Sequence, residues 1–198
     1  MQSIVVYCGS NIGKKPVYAE TAYELGKELA NRDIKLIYGG GNMGLMGRVA
    51  DGAMDHQGFV TGIIPNFLAN LEKAHKELSE LHFVDTMHER KAKMVAMSDG
   101  VIAIPGGYGT LDELFEILTW AQLRIFHGPV GLLNVNGYYD LLLLQLEKMV
   151  EEGFLHPLTH QLLVVDNDPA GLLEKMEIFR QQNPENKPLD SSLYVDNN

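Results

Sequence analysis

The chain has 198 residues, 45% hydrophobic and 21% charged, which suits one globular domain with a sizeable core and excludes a low-complexity chain. Its formal charge of −10 disfavours nucleic acid and anionic membranes as partners, so a small anionic ligand would need a local positive pocket. The single cysteine, Cys8, rules out an internal disulfide and fits a reducing compartment.

The N-terminal stretch "MQSIVVYCGSN" lacks the basic n-region of a signal peptide, and its apolar run is short. No stretch approaches the ~20 apolar residues of a membrane span, so the expected location is the cytoplasm. Apolar runs then alternate with segments of helical period. The runs are "IVVYC" (4–8), "KLIYG" (35–39), "FVTGII" (59–64), "HFVD" (82–85), "VIAIP" (101–105), "VGLLN" (130–134) and "LLVVD" (162–166). They are rich in Val, Ile and Leu with little alternation, as strands covered on both faces of a parallel sheet are. Between the first two runs, Tyr18, Ala22, Leu25 and Leu29 share one helical face; Met46, Val49, Ala50 and Ala53 do so after the second. Residues 66–80, 87–98, 110–125, 138–151 and 168–181 read as further helices. The order predicts an α/β fold, a doubly wound parallel sheet of about seven strands with helices on both faces. One domain is expected over 1–181, followed by a mobile polar tail over 182–198.

In such a sheet, ligands bind beyond the carboxyl ends of the strands. Four unusual segments fall there: "CGSN", "GGGNMGLMG", "TMHERK" and "PGGYGT". The second holds a literal G-x-G-x-x-G at Gly39, Gly41 and Gly44. It sits on the second strand-helix unit, and the next strand ends in Pro65 and Asn66 with no acid for a ribose 2′-hydroxyl, which counts against a dinucleotide site. "MHERKAKM" sets Arg90, Lys91 and Lys93 at a helix start, where cations oppose the helix dipole. In so acidic a chain this points to an anion site, although a solvated basic face is the plainer alternative. In "PGGYGTLDE", Gly106, Gly107 and Gly109 leave backbone N–H groups unobstructed, and Thr110 has the character of an N-cap; a phosphate cradle follows. Thr110-x-x-Glu113 is also the spacing of a capping box, so spacing alone leaves Glu113 between cap and reagent. No G-K-[ST] ending is present, and the histidines and Cys8 show no metal-ligand spacing. The helix after the glycines is apolar nearly all round, which fits deep burial or a dimer interface.

"PGGYGTLDE", with "MHERK" before it, resembles the LONELY GUY (LOG) family of cytokinin riboside 5′-monophosphate phosphoribohydrolases, whose motif is P-G-G-x-G-T-x-x-E. The likeness runs over about residues 4–155, through "YGGGNMGLMG", "TWAQL" and "GPVGLLNVNGYYDLLL". It implies a Rossmann-like homodimer that cleaves the N-glycosidic bond of a purine nucleoside 5′-monophosphate, releasing free base and ribose 5-phosphate. It assigns catalysis to Arg90 and Glu113. Substrate contacts fall on Glu72, Lys91, the loop Gly106, Gly107, Tyr108, Gly109 and Thr110, and Thr119. No cofactor and no metal are implied; the family's older lysine-decarboxylase label carries no pyridoxal-phosphate site here. Asp112 stands where many members have Glu. A non-catalytic nucleotide or pterin-cofactor carrier is the alternative, because related proteins use similar glycine loops for binding alone.

Overall fold

The computed structural model describes residues 1–69, 73–75 and 77–183. The apolar runs become seven strands: β1 (Ser3–Tyr7), β2 (Lys35–Tyr38), β3 (Val60–Pro65), β4 (Glu80–Val84), β5 (Gly100–Ala103), β6 (Val130–Leu133) and β7 (Leu163–Asp166). They form one all-parallel sheet in the order β4-β3-β2-β1-β5-β6-β7. The five inner strands are buried along almost their whole length, whereas the edge strands β4 and β7 are only partly covered. Unbroken apolar runs therefore mark strands with helices on both sides.

The helices are α1 (Pro16–Asn31), α2 (Gly44–Asp55), α3 (Met87–Ala96), α4 (Tyr108–Gln122), α5 (Asp140–Glu151), the short α6 (Pro157–His160) and α7 (Pro169–Gln182). Along β1, Ile4 and Val6 face the core shared with α1, α2 and α7, where Leu25, Leu29, Val49 and Leu172 pack. Val5 and Tyr7 face the other core, with Met94 of α3 and Leu114 and Ile117 of α4. The two-residue period of the strand thus feeds both layers. Each fully buried Leu or Ile contributes about 1.5–3 kcal/mol, so the two cores hold the layers together. Among the described residues, no helix is long and apolar enough to cross a membrane.

Strand order reverses at β1, whose neighbours are β2 and β5. The connections after β1 and β5 diverge there to opposite faces, leaving a crevice at their carboxyl ends.

Two expectations are corrected. The helix expected over 66–80 does not form in its described residues. Leu68 and Ala69 N–H donate to Pro65 O in a single local turn, and further on His75 N–H donates to Gly40 O at 2.9 Å. Gly41 and Ala74 also make an isolated antiparallel bridge, so around residues 74 and 75 tertiary partners replace the helical ladder. Thr110 is not an N-cap: α4 begins at Tyr108 after the cap residue Gly107, which places Thr110 inside the first turn with its side chain buried. The short α6, with Pro157 at its first position, carried no periodic signal that could announce it. Of the expected tail, Gln182 closes α7, and residues 184–198 lie outside the described residues.

Candidate active site

The crevice between β1 and β5 opens into a cavity of about 490 Å³. Its walls come from the segment after β1, the glycine turn after β2, helix α3, and the loop between β5 and α4. Backbone contacts lock these segments together. Gly9 N–H donates to Pro105 O at 3.0 Å, and Leu45 N–H donates to Gly9 O at 3.0 Å. Gly44 has φ +63°, and a Cβ there would press into the backbone of Ser10. Glycine at 44 therefore serves a left-handed turn and a close approach of two loops.

Gly39 has another use. A Cβ there would collide with the Arg90 guanidinium. Arg90 is 6% exposed, despite its place in a charged run. Its Nε donates to Ile63 O at 3.1 Å and its Nη2 to Gly39 O at 3.0 Å, so a carbonyl within β3 and one just past β2 hold the fork in place. Gly39 and Gly44 of the G-x-G-x-x-G stretch thus make room for an arginine and a neighbouring loop, a use of these glycines that needs no dinucleotide. Helix α3 is set by Thr86, whose Oγ1 accepts from Glu89 N–H at 3.1 Å, while Glu89 Oε2 accepts from Asp85 N–H at 2.9 Å. This anchored first turn aims Arg90 into the cavity.

Glu113 lines the same cavity. Because α4 starts at Tyr108, Glu113 stands in the second helical turn, beyond the reach of the cap position. No side chain caps the α4 N-terminus. A Cβ at Gly107 or Gly109 would meet nothing within 4 Å, so both glycines face open space beside the first-turn N–H groups. None of Gly106, Gly107 and Gly109 has a positive φ; their value lies in the space they leave. An uncapped helix N-terminus facing a cavity can receive an anion.

Tyr7, at the end of β1, lies on the cavity floor and is 3% exposed. Burial pushes its hydroxyl pKa well above the usual phenol value; the charges of Glu113 and Glu116 push the same way and Arg90 opposes them. The phenol therefore stays neutral. Tyr138 closes the opposite side: its Oη donates to Gly106 O at 2.6 Å, and its ring meets that of Tyr18 edge-on at 5.8 Å. The "NVNGYYD" turn holds it there. Asn134 Oδ1 accepts from Tyr139 N–H at 2.7 Å, Asn134 Nδ2 donates to Asp140 Oδ1 at 2.7 Å, and Tyr139 Oη donates to Ile104 O at 2.9 Å.

The structure thus brings together Arg90, Glu113, Gly106, Gly107, Tyr108, Gly109 and Thr110. Lys91 does not line this cavity. Its Nζ bonds Glu116 Oε2 at 3.0 Å and Asp112 Oδ2 at 3.2 Å. Burial disfavours its charge, but these two bonds outweigh that, and its pKa is raised. Thr119 is exposed, donates to Phe115 O of its own helix at 2.8 Å, and borders a separate apolar hollow of about 150 Å³ with Phe115, Leu146 and Met149. Glu72 lies outside the described residues. Sequence reasoning passed over Tyr7, Tyr18 and Tyr138 as site residues. The Asn-Gly turn before Tyr138 was a local signal for the last; Tyr7 and Tyr18 looked like ordinary core positions.

Comparison with known proteins gives concordant results. The family described as "possible lysine decarboxylase" matches residues 46–176. A probable cytokinin riboside 5′-monophosphate phosphoribohydrolase of Oryza sativa subsp. japonica is 48% identical over 179 residues, covering 90% of this chain and 73% of that protein. Two cytokinin riboside 5′-monophosphate phosphoribohydrolases of Arabidopsis thaliana are 46% and 49% identical, covering 98% and 89% of this chain and 88% and 82% of their own lengths. Among solved structures, the molybdenum cofactor binding protein of Rippkaea orientalis superposes with a TM-score of 0.68 at 24% identity, over 90% of this chain and 98% of that one. The Moco carrier protein of Chlamydomonas reinhardtii gives 0.66 at 19% identity, over 91% and 98%. These two likenesses concern the Rossmann-like fold alone. With the motif residues gathered in one cavity and near-half identity along most of its length, the chain belongs to the LONELY GUY family.

Proposed function

We propose that this chain hydrolyses the N-glycosidic bond of purine nucleoside 5′-monophosphates, AMP or its N6-modified cytokinin forms, to free base and ribose 5-phosphate. The observation that carries the reading is the shared cavity of Arg90, Glu113 and the uncapped α4 N-terminus at the strand-order reversal. The 5′-phosphate lies against the N–H groups after Gly107, where helix end and open glycines favour an anion. That remote contact holds C1′ of the ribose near Glu113. As the C1′–N9 bond breaks, its electron pair leaves with the base and the ribose gains oxocarbenium character. The Glu113 carboxylate stabilises that charge and takes a proton from the water that adds to C1′. A proton ends on the departing base nitrogen, so atoms and charge balance. Arg90, fixed by two carbonyls, supplies the positive charge the substrate phosphate needs in an acidic chain.

The protein works as a cytoplasmic homodimer. Supporting this, Phe115 of α4, Leu141 and Leu144 of α5, and Phe154 all expose apolar surface. Sedimentation at twice the 22.0 kDa chain mass is expected, and a monomer at micromolar concentration would reject the dimer.

The deciding assay incubates the protein with AMP and with N6-isopentenyl-AMP and measures free base. Release of adenine or the N6-substituted base is expected. Tight nucleotide binding with no base released would favour the carrier function instead.

A further inference from the structure

In the loop between β5 and α4, two consecutive glycines share one peptide plane. Gly106 and Gly107 carry no Cβ, so that plane can turn over at little cost to the two residues themselves. The planes on either side are held by backbone: Gly9 N–H donates to Pro105 O at 3.0 Å, and Leu111 N–H donates to Gly107 O at 3.1 Å. The plane between them has a side-chain partner instead, since Tyr138 Oη donates to Gly106 O at 2.6 Å. Tyr138 comes from the turn after β6, and its ring meets Tyr18 edge-on at 5.8 Å and Tyr139 edge-on at 4.8 Å. Asn136 and Gly137, at φ 52° and 70°, shape that turn, and Asn134 Oδ1 ties it down through Tyr139 N–H. A phenol has one proton to donate, and here Gly106 O takes it.

We propose that Tyr138 is a positioning residue that pins the Gly106–Gly107 peptide with its carbonyl turned to the phenol and its N–H turned to the substrate phosphate. The C=O and N–H of a trans peptide point in opposite directions, so holding Gly106 O also aims Gly107 N–H. Turned over, the same plane would present a carbonyl oxygen to the anion in place of a donor. The inference rests on the phosphate placement of the proposed hydrolase and names the residue that keeps the cradle in its anion-binding form. Tyr138 acts through Gly106 and does not itself touch the phosphate. A half-turn of the plane takes φ of Gly107 from −99° to about +80°, which glycine tolerates and alanine resists. In the present orientation a Cβ at Gly107 meets nothing within 4 Å, so alanine fits there and opposes the flip.

The test crosses Tyr138→Phe, which removes one hydroxyl and keeps both ring contacts, with Gly107→Ala. Calorimetry reads the binding of ribose 5-phosphate, and adenine release reads the hydrolysis of AMP. With Gly107 in place, Tyr138→Phe should weaken ribose 5-phosphate about tenfold and raise KM for AMP by a like factor, with kcat within about threefold. In the Gly107→Ala background, where the flip is opposed, the same substitution should change either quantity by less than about twofold. An equal loss in both backgrounds would mean that Tyr138 touches the phosphate itself, and no loss in either would deny it a role; each overturns the pin. Inhibition by free adenine should not move, and a weakening equal to that of ribose 5-phosphate would make Tyr138 merely structural. Should the Gly107→Ala methyl abolish binding by itself, Tyr138→Phe alone must still weaken ribose 5-phosphate and spare adenine. A wild type that binds ribose 5-phosphate but leaves AMP intact would reject the hydrolase reading, while the binding comparison still decides the pin.

Discussion

Gly109→Ala should make the protein more stable and less active at once. Gly109 is the second residue of α4, its φ is not positive, and a Cβ there meets nothing within 4 Å. Alanine fits that backbone without strain, and replacing a helical glycine contributes about 0.5–1 kcal/mol. For a domain of this size, 1 kcal/mol moves the melting temperature by about 2–4 °C, so a rise of about 1–4 °C is expected. The same methyl group enters the space proposed for the 5′-phosphate. Losing one charged hydrogen bond there costs about 1.5–3 kcal/mol, which predicts a rise in KM for AMP of about 10- to 100-fold. Circular-dichroism melting and initial rates over a range of AMP concentrations read both quantities from one preparation. A higher melting temperature with unchanged KM would place the phosphate elsewhere. A lower one would refute the open space beside Gly109.

Gly39→Ala tests the seat of the arginine. Its Cβ would displace the guanidinium from Gly39 O, so a loss of about 1–3 kcal/mol in stability and at least about tenfold in kcat is expected, read by urea unfolding and rates. Glu113→Gln should lower kcat by about 100-fold or more while the protein stays folded at the assay temperature; retained turnover would make Glu113 structural. Asp166→Asn probes acid stability. The Lys175 hydrogen bond, helped by Asn167 and Asp168 N–H, holds the Asp166 carboxyl below its usual pKa against the opposing effect of burial. A depressed folded-state pKa contributes stability above the unfolded value near ~3.9 and loses it as pH falls through the lower value. The variant should therefore melt below wild type at pH 7, with the gap closing towards pH 3; a constant gap would deny the linkage.

Much of this protein could be read from its residues. All seven apolar runs are strands, because inner strands of a parallel sheet bury both faces and leave no alternation to confuse the reading. The four unusual segments expected at strand ends do meet around one cavity there. Where local spacing was the only guide, it misled. Thr110-x-x-Glu113 has the form of a capping box, yet the Thr110 side chain is 3% exposed and packs against Gly106, and the helix begins a turn earlier at the expense of any side-chain cap. The segment 66–80 had helical spacing, but its described residues make one turn after Pro65, and His75 bonds to Gly40 instead.

The sequence by itself determined the fold class, the family and the two residues proposed to react, because hydrophobic period and a nine-residue motif are local properties. Only the tertiary structure decided what the charged run does. Arg90 is buried on two carbonyls, of Gly39 just past β2 and of Ile63 within β3, and Lys91, one residue on, turns to the carboxylates of α4. Nothing in "MHERKAKM" distinguishes those fates. The partners lie roughly 20 to 50 residues away, and a charge is assigned its role by the groups that folding brings against it.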